Sequence, residues 1–523
     1  MRLVGKRSGA QALVEALERA GAEVVFGYPG ANVVDVYERL QKAKFRFVLG
    51  RHEQGCTHMA DGYARATGRP GVVVVTSGPG ATNAITGLAT ANVDGVPLVL
   101  VSGQVPLSQI GTDAFQEADM TGICRAATKH SFLVKSADEI PETVAQAFYI
   151  ATHGKPGAVV IDVPKNVQEE LTAAQYPERI SLRAYHPERA ATTAQVSRFA
   201  KWLNEAKRPV LFAGGGVIAA NAAKDVAALA RRANVPVATT LMGVGSFDET
   251  DPLSLGMAGL YGTRAANEAL AAADLVIALG VRFNDRVTGQ DISRSVFKAK
   301  VVHVDCDPSS IDKNVTVDLG IVADIKDLLT TVNSRIRPAE HAEWLRQVAA
   351  WKKHEAKGSD VSARRLVEAI GRATKGRAIL VADVGNHQMA CARHYSHALP
   401  RHFLTSGGMG TMGFAIPAAI GAALARPDEK VVAVVGDGGA QMTFEELIVA
   451  VELKLPVTFV VVNNAALGMV NTPISSPDFV KLAQAYGVKG VRVGDSAKLD
   501  AVITRAVRAK GPVLVEVKCK SEM

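Results

Sequence analysis

The sequence predicts an α/β fold: three doubly wound, parallel-sheet domains in one chain. Three observations predict it. Short runs such as Val72–Val75 and Val431–Val435 are apolar at every position rather than at every second one. Strands covered by helices on both faces read this way, as in parallel sheets. The runs alternate with stretches of helical character, which argues for βαβ units. The pattern also restarts twice, after polar stretches near 171–195 and 336–360 that read as linkers. With 523 residues and about 150 residues per domain, three domains follow, over 1–170, 196–335 and 363–523.

In the first domain, Ser8 caps a helix that reaches Leu17 and ends before Gly21. Val24–Gly30 (VVFGYPG) reads as a buried strand and a turn. The apolar stretch Phe45–Leu49 leads into Arg51–Gly55 (RHEQG) and a helix from Gln54 to Arg65. Gly71–Val75, Leu98–Gly103 and Ala158–Pro164 are further strands. The middle domain carries Arg208–Gly216 (RPVLFAGGG), Ala273–Gly280 (ADLVIALG) and Lys300–Asp307 (KVVHVDCD). The third carries Ala378–Gly385 (AILVADVG), Lys430–Gly438 (KVVAVVGDG) and Pro456–Asn464 (PVTFVVVNN). No sequence repeat relates the domains. Ligands of such sheets sit at the carboxyl ends of the strands, so each glycine-rich end is a candidate contact.

Composition excludes several classes. Hydrophobic residues make up 48% and charged residues 21%, an ordinary globular mix rather than a disordered one. The net charge of +8 is interspersed, and the densest basic spots, Arg231-Arg232 and Lys352-Lys353, are short. A nucleic-acid footprint would cluster, so a small anionic ligand is the better reason for the bias. The five cysteines are scattered with no C-x-x-C, which fits a reducing cytoplasm. The N-terminus lacks the apolar core of a signal peptide, and no apolar run is long enough to span a membrane.

The strongest chemical signal is Gly436-Asp437-Gly438 at one strand end, with Asn463-Asn464 at the end of the next. A carboxylate and a carboxamide are hard oxygen ligands, suited to Mg²⁺ or Ca²⁺. The small glycines let phosphate oxygens approach the backbone and the following helix N-terminus. A metal bridging protein oxygens to a diphosphate is the natural product. Glu53, at the start of a helix, is by itself an ordinary capping acid.

At this point the sequence resembles the thiamine-diphosphate (ThDP) enzymes, and most nearly acetolactate (acetohydroxyacid) synthase catalytic subunits. The likeness rests on Tyr28–Ala31 (YPGA), Arg51–Arg65 (RHEQGCTHMADGYAR), Thr76–Asn83 (TSGPGATN), Gly111–Glu117 (GTDAFQE), Thr239–Gly243 (TTLMG), Gly280–Gly289 (GVRFNDRVTG) and Ser406–Phe414 (SGGMGTMGF). GTDAFQE together with RFNDRVTG is its most specific part. The resemblance implies a fold of the ThDP-enzyme type, with a pyrimidine-binding first domain, a central nucleotide-type domain and a diphosphate-binding third.

It also implies residue roles. Asp437, Asn464 and the backbone oxygen of Ala466 would bind Mg²⁺. Glu53 would hydrogen-bond the aminopyrimidine ring, and Met412 would be the apolar wedge that bends the coenzyme. Pro79, Asn83, Gly385, Asn386, His387, Gly438, Gly439, Gly468 and Met469 would be further ThDP contacts. Gly30, Phe115 and Gln116 would line the pocket, Lys165 would be a pocket lysine, and Arg286 would receive a 2-oxoacid carboxylate. In the middle domain Gly214, Gly215, Gly216, Thr240, Leu241, Met242, Gly280, Arg282, Asp305 and Asp324 would contact FAD, a flavin that is structural because the net reaction is not redox.

The implied reaction is decarboxylation of pyruvate and condensation of the hydroxyethyl carbanion with a second 2-oxoacid. It gives 2-acetolactate, as in branched-chain amino-acid biosynthesis. A homodimer or homotetramer with active sites between subunits, a small regulatory subunit and a cytoplasmic location come with it. The chain departs from the family's pattern at four places. Asn386 stands where Gln is usual, and Lys155 (HGKPG) stands where flavin-binding members have Arg, keeping the charge but losing the planar fork. Pro473 replaces a Trp that shapes the acceptor pocket, and the chain ends soon after Val517. These departures leave open a related ThDP-dependent lyase or decarboxylase acting on another 2-oxoacid or an acyl-CoA, and a non-catalytic paralogue.

Overall fold

A computed structural model of the chain describes residues 5–180, 182–289, 297–353 and 361–519. In the first domain six strands form one sheet: β1 (Val24–Tyr28), β2 (Arg46–Leu49), β3 (Gly71–Val75), β4 (Leu98–Gln104), β5 (His130–Leu133) and β6 (Ala158–Pro164). Their order is β2-β1-β3-β4-β6-β5, and every pair is parallel. The apolar runs are strands because both faces are covered; Val72, Val73, Val74 and Val75 are all buried. The first helix, α1 (Gly9–Arg19), is capped by Ser8, whose side chain accepts from the Gln11 amide. Arg7–Ser8 pairs antiparallel with Leu171–Thr172, closing the domain on itself.

The middle sheet contains β7 (Pro209–Ala213), β8 (Val237–Thr239), β9 (Ser254–Met257), β10 (Leu275–Leu279), β11 (Lys300–Asp305) and β12 (Leu319–Val322). Its order is β9-β8-β7-β10-β11-β12, again wholly parallel. This is the dinucleotide-binding order, and the direction of winding reverses between β7 and β10. The third sheet has β13 (Ile379–Ala382), β14 (Phe403–Thr405), β15 (Val431–Gly436), β16 (Val457–Asn463), β17 (Lys489–Val493) and β18 (Val513–Lys518). Its order, β14-β13-β15-β16-β18-β17, repeats that of the first sheet strand for strand. The repeat lies in topology and is invisible in the sequence.

The first and third domains share a core. Helix α2 (Glu53–Thr67) crosses α5 (Ala415–Ala425), and buried residues from both sheets, such as Phe26, Met59, Phe414 and Phe459, form one cluster. Between them in chain order lie α3 (Ile85–Asp94) and α4 (Asn386–His394). Two glycines allow the crossing. A Cβ on Gly62 would lie 2.1 Å from the Ala418 carbonyl oxygen, and one on Gly421 only 1.9 Å from that of Met59. The middle domain has cores of its own on the two faces of its sheet, while its Val244 and Met257 join a cluster of the third domain.

One expectation needs correction. The stretch 336–360 is not simply a linker, because Ala342–Lys353 is a helix that buries Trp344 and Val348 in the middle domain. Residues 354–360 lie outside the described residues. Among the described residues no helix is long and apolar enough to cross a membrane.

Candidate active site

The first cluster stands at the carboxyl ends of β13, β15 and β16, which are neighbours in the sheet. Asp437 follows β15 and opens the short helix α6 (Asp437–Ala440); it is 2% exposed. Its Oδ1 accepts the Gly438 amide at 3.0 Å, and its Oδ2 accepts the Ser476 hydroxyl at 2.9 Å. The two asparagines after β16 have different duties. Asn463 donates to Glu516 Oε1 at 2.7 Å and accepts from the Ala465 amide, so the fold consumes it. Asn464 faces Gly468, where a Cβ would lie 2.8 Å from Asn386 Nδ2 and 3.5 Å from Asn464 Nδ2. Between them Ala465 adopts φ +54°, rare for a residue with a Cβ, and turns Ala466 in beside Asn464.

The glycines here have no room for side chains. A Cβ on Gly438 would lie 2.5 Å from Leu467 Cδ2 and 3.1 Å from Met412 Cε, and one on Gly439 would lie 2.7 Å from Asp383 Oδ1. Asp383 is a residue that the sequence reading missed. It is fully buried and accepts the amides of Val384, Gly413 and Ala415 at 2.8, 3.1 and 2.9 Å. It thereby ties the loop that carries Met412 to the glycine cradle. Burial pushes its carboxyl up to about 6, against those three donors. His387 lies behind Gly385 on α4, and its Nε2 accepts the Gly436 amide at 3.1 Å. Burial lowers it to about 4, so the ring is neutral near pH 7. Ser476 was also missed, since it belongs to no motif.

The second cluster stands on the first sheet, beyond β2, β1 and β3. Glu53 is the first residue of α2, one earlier than expected, and its Oε2 accepts from Asn83 Nδ2 at 3.0 Å. Gly80 passes close by, where a Cβ would lie 3.3 Å from Glu53 Oε1. Pro79 and Asn83 bound a short helix and are exposed. Gly30 packs on Thr76, with 2.4 Å between a Cβ placed there and Thr76 Cγ2. Gln116 has φ +63° and packs on Gly78, and its Oε1 is buried without a hydrogen-bond partner. Phe115 beside it is 84% exposed. Lys165 opens the short helix that follows β6. Among the described residues no hydrogen bond joins Glu53 to the Asp437 cluster. One chain thus carries two separate polar clusters on two sheets of the same topology.

A third feature is a cavity of about 720 Å³ where the three domains meet. It opens at the winding reversal of the middle sheet. There a Cβ on Gly214 would lie 2.0 Å from the Gly280 oxygen, and one on Gly216 would lie 2.7 Å from the Gly280 Cα. Gly215, Gly216, Thr240, Leu241, Met242, Gly280, Arg282, Asp305 and Asp324 line the cavity, while Gly214 only supports its wall. Lys155 and Arg286 line it too, as does Met469, expected instead among the ThDP contacts. Arg286, the arginine expected to receive a 2-oxoacid carboxylate, has a near neighbour. It faces Asp285 at 3.5 Å and is 65% exposed. Asp305 is pushed up to about 6, chiefly by burial.

Asp94 at the cavity wall binds the three domains together. Its carboxylate meets Arg65 at 3.0 Å, Arg282 at 3.6 Å and the amides of Gly407 and Gly408 at 3.0 and 2.8 Å. Among the described residues no group of three His, Cys, Asp or Glu is placed to hold a metal ion. The Asp437 set offers one carboxylate and neutral oxygens, which suits a hard cation whose other ligands come from a diphosphate.

Three family models match the chain. They are the thiamine pyrophosphate enzyme N-terminal TPP binding domain over residues 7–123, the central domain over 196–332 and the C-terminal TPP binding domain over 383–517. The fold and the three matched domains therefore define a ThDP-dependent enzyme. Among its relatives, the acetolactate synthase large subunit of Haemophilus influenzae is 43% identical, over 97% of this chain and 94% of the relative. The isozyme 3 large subunit of Escherichia coli is 42% identical over 98% and 94%. The mitochondrial catalytic subunit of Saccharomyces cerevisiae is 41% identical over 98% and 80%. The chain belongs to the acetolactate synthase large-subunit family of thiamine pyrophosphate enzymes. It is an enzyme of the transferase type, which sets aside the reading as a non-catalytic paralogue.

Proposed function

We propose that the protein decarboxylates pyruvate and transfers the remaining two-carbon unit to a second 2-oxoacid, forming 2-acetolactate when that acceptor is pyruvate. The observation that carries this reading is the presence of both half-sites, Glu53 with Asn83 and Asp437 with Asn464, in a chain similar to acetolactate synthases along nearly its whole length. ThDP, when bound, supplies the carbon nucleophile and the electron sink. The chain's own residues then have defined tasks. Asp437, Asn464 and the Ala466 oxygen hold Mg²⁺ against the diphosphate. Gly438, Gly439, Gly468, Gly385, Asn386 and His387 frame the diphosphate, and Met412 supports the bend. Glu53 holds a proton at the pyrimidine end, near Pro79 and Asn83. Gly30, Phe115 and Gln116 wall the substrate side, where the orphaned Gln116 Oε1 has an acceptor to offer. Lys165 and Arg286 supply positive charge to 2-oxoacid carboxylates.

Further parts of the reading follow. FAD occupies the central cavity, supported by the dinucleotide-binding strand order and by the nine expected contacts that line it. Arg282 and Lys155 there balance its phosphates, while Asp305 or Asp324 takes a ribose hydroxyl. The protein works as a homodimer or homotetramer in which Glu53 of one subunit completes the Asp437 site of another, with a small regulatory subunit as a further partner. The exposed Phe115 and Met442 fit such an interface, at 84% and 53% exposure. The pathway is branched-chain amino-acid biosynthesis in the cytoplasm, and no disulfide joins the cysteines among the described residues. The domains run over 1–170, 196–335 and 363–523, with the helix Ala342–Lys353 added to the middle one. The test is a colorimetric acetolactate assay on purified protein with pyruvate, ThDP and Mg²⁺. Product formation supports the reading, and folded protein that yields none overturns it. Absorbance in the flavin bands of the same preparation decides the FAD part.

A further inference from the structure

Glu446 lies in the short 3₁₀ turn Phe444–Glu446 of the third domain, a few residues beyond the Asp437 cradle. It is fully buried. Its side chain does not serve its own domain. It crosses to the first domain, where Oε1 accepts the Arg51 amide at 3.1 Å and the His52 amide at 3.0 Å, while Oε2 also receives Arg51 at 3.1 Å. These two amides belong to the residues immediately before Glu53. The approach is cut to fit the carboxyl group. A Cβ on Gly55 would lie 2.0 Å from Glu446 Oε1 and 2.6 Å from its Cδ. Arg51 turns its guanidinium away, onto Glu452.

A buried carboxyl group is costly where no cation faces it. A plain apolar contact would join the domains at less cost. What this one achieves is local: it fixes the backbone on which Glu53 stands. Among the described residues the Glu53 side chain has a single hydrogen bond, to Asn83, so its direction depends on that backbone. We infer that Glu446 is a positioning residue for the proton-holding Glu53, clamping the entry to α2 from the opposite domain of the same chain. This rests on the reading of Glu53 proposed above. Burial pushes the Glu446 carboxyl up to about 8, so glutamine is a close mimic of its shape and of its accepting oxygen. Aspartate keeps the acid but withdraws it by one methylene.

The test uses the full-length enzyme loaded with ThDP and Mg²⁺. The readout is hydrogen–deuterium exchange at the coenzyme's C2 position, followed by acid quench and proton NMR, beside a fluorescence titration of coenzyme binding. Glu446→Asp should slow exchange by about tenfold or more, part of the ~10²–10⁴ that a proton-transfer group contributes. Coenzyme affinity should stay within about threefold, since the Asp437 cradle is untouched. Glu446→Gln should keep exchange near that of the unaltered enzyme. If Glu446→Asp exchanges normally, or if Glu446→Gln is as slow as Glu446→Asp, the inference is overturned. Failure of the underlying reading looks different, because the unaltered enzyme would then bind no ThDP or show no enhanced exchange at all.

Discussion

Glu53 and Asp437 meet different physical demands, and their surroundings show it. Glu53 stands half-exposed at a helix start with an amide donor beside it, while Asp437 is buried against its own glycine and the Ser476 hydroxyl. Glu53→Gln should lower kcat/KM for pyruvate by ~10²–10⁴ with Mg²⁺ affinity preserved, as steady-state kinetics and a metal titration would show. Ser476 donates to the carboxylate proposed to ligate Mg²⁺. Ser476→Ala should weaken Mg²⁺ binding by ~10-fold or more in that titration, the usual cost of losing such a partner. At this scale oxygen donors between apolar strands drew notice to Asp437 and its asparagines, while Glu53 was singled out only by the family resemblance. Residue chemistry alone did not separate Asn463 from Asn464; the resemblance named Asn464, and the partner on β18, Glu516, shows that the fold consumes Asn463. Asp383 and Glu446 stayed hidden because each acts on backbone amides distant in sequence, a contact that leaves no motif.

The elements that matter most are α2 and α5. Glu53 follows the second strand of its sheet, and Met412 follows the second strand of the like-ordered third sheet. Their helices then pack on each other through Gly62 and Gly421. Gly421→Val would force side-chain atoms onto the Met59 carbonyl, 1.9 Å from the first of them. A loss of about 1–3 kcal/mol or more should appear in denaturant unfolding. The central strands were legible from their unbroken apolar runs. Two others were not: the edge strand Lys489–Val493 (KGVRV) is largely exposed and too polar to stand out, and the inner strand Val237–Thr239 is only three residues long. The helix within 336–360 was hidden by its charge. Even so, Trp344, Val348 and Trp351 keep helical spacing, the signal that could have found it.

Across the whole molecule, the middle and third domains meet through a carboxyl group. The Glu249 amide donates to the His397 oxygen at 3.0 Å, and the His397 amide donates to Glu249 Oε2 at 2.9 Å. Burial, with Asp248 adding to it, pushes Glu249 from 4.5 up to about 8. The folded chain therefore holds a proton that the unfolded chain releases near 4.5, and stability falls as pH rises from there through about 8. Glu249→Gln should flatten that part of a plot of thermal midpoint against pH; an unchanged slope would assign it to other groups. Domain number and order were legible from the restarting pattern. The matching strand orders of the outer sheets were not, because topology survives where sequence likeness has faded.

The single cluster of buried side chains spanning the first and third sheets has one more implication. The outer pair is a continuous piece of protein interrupted in the chain by a guest whose interior is mostly its own, with Val244 and Met257 reaching into the host. Melting in a calorimeter should resolve into two endotherms, one for the guest and one for the host, rather than one for each sheet.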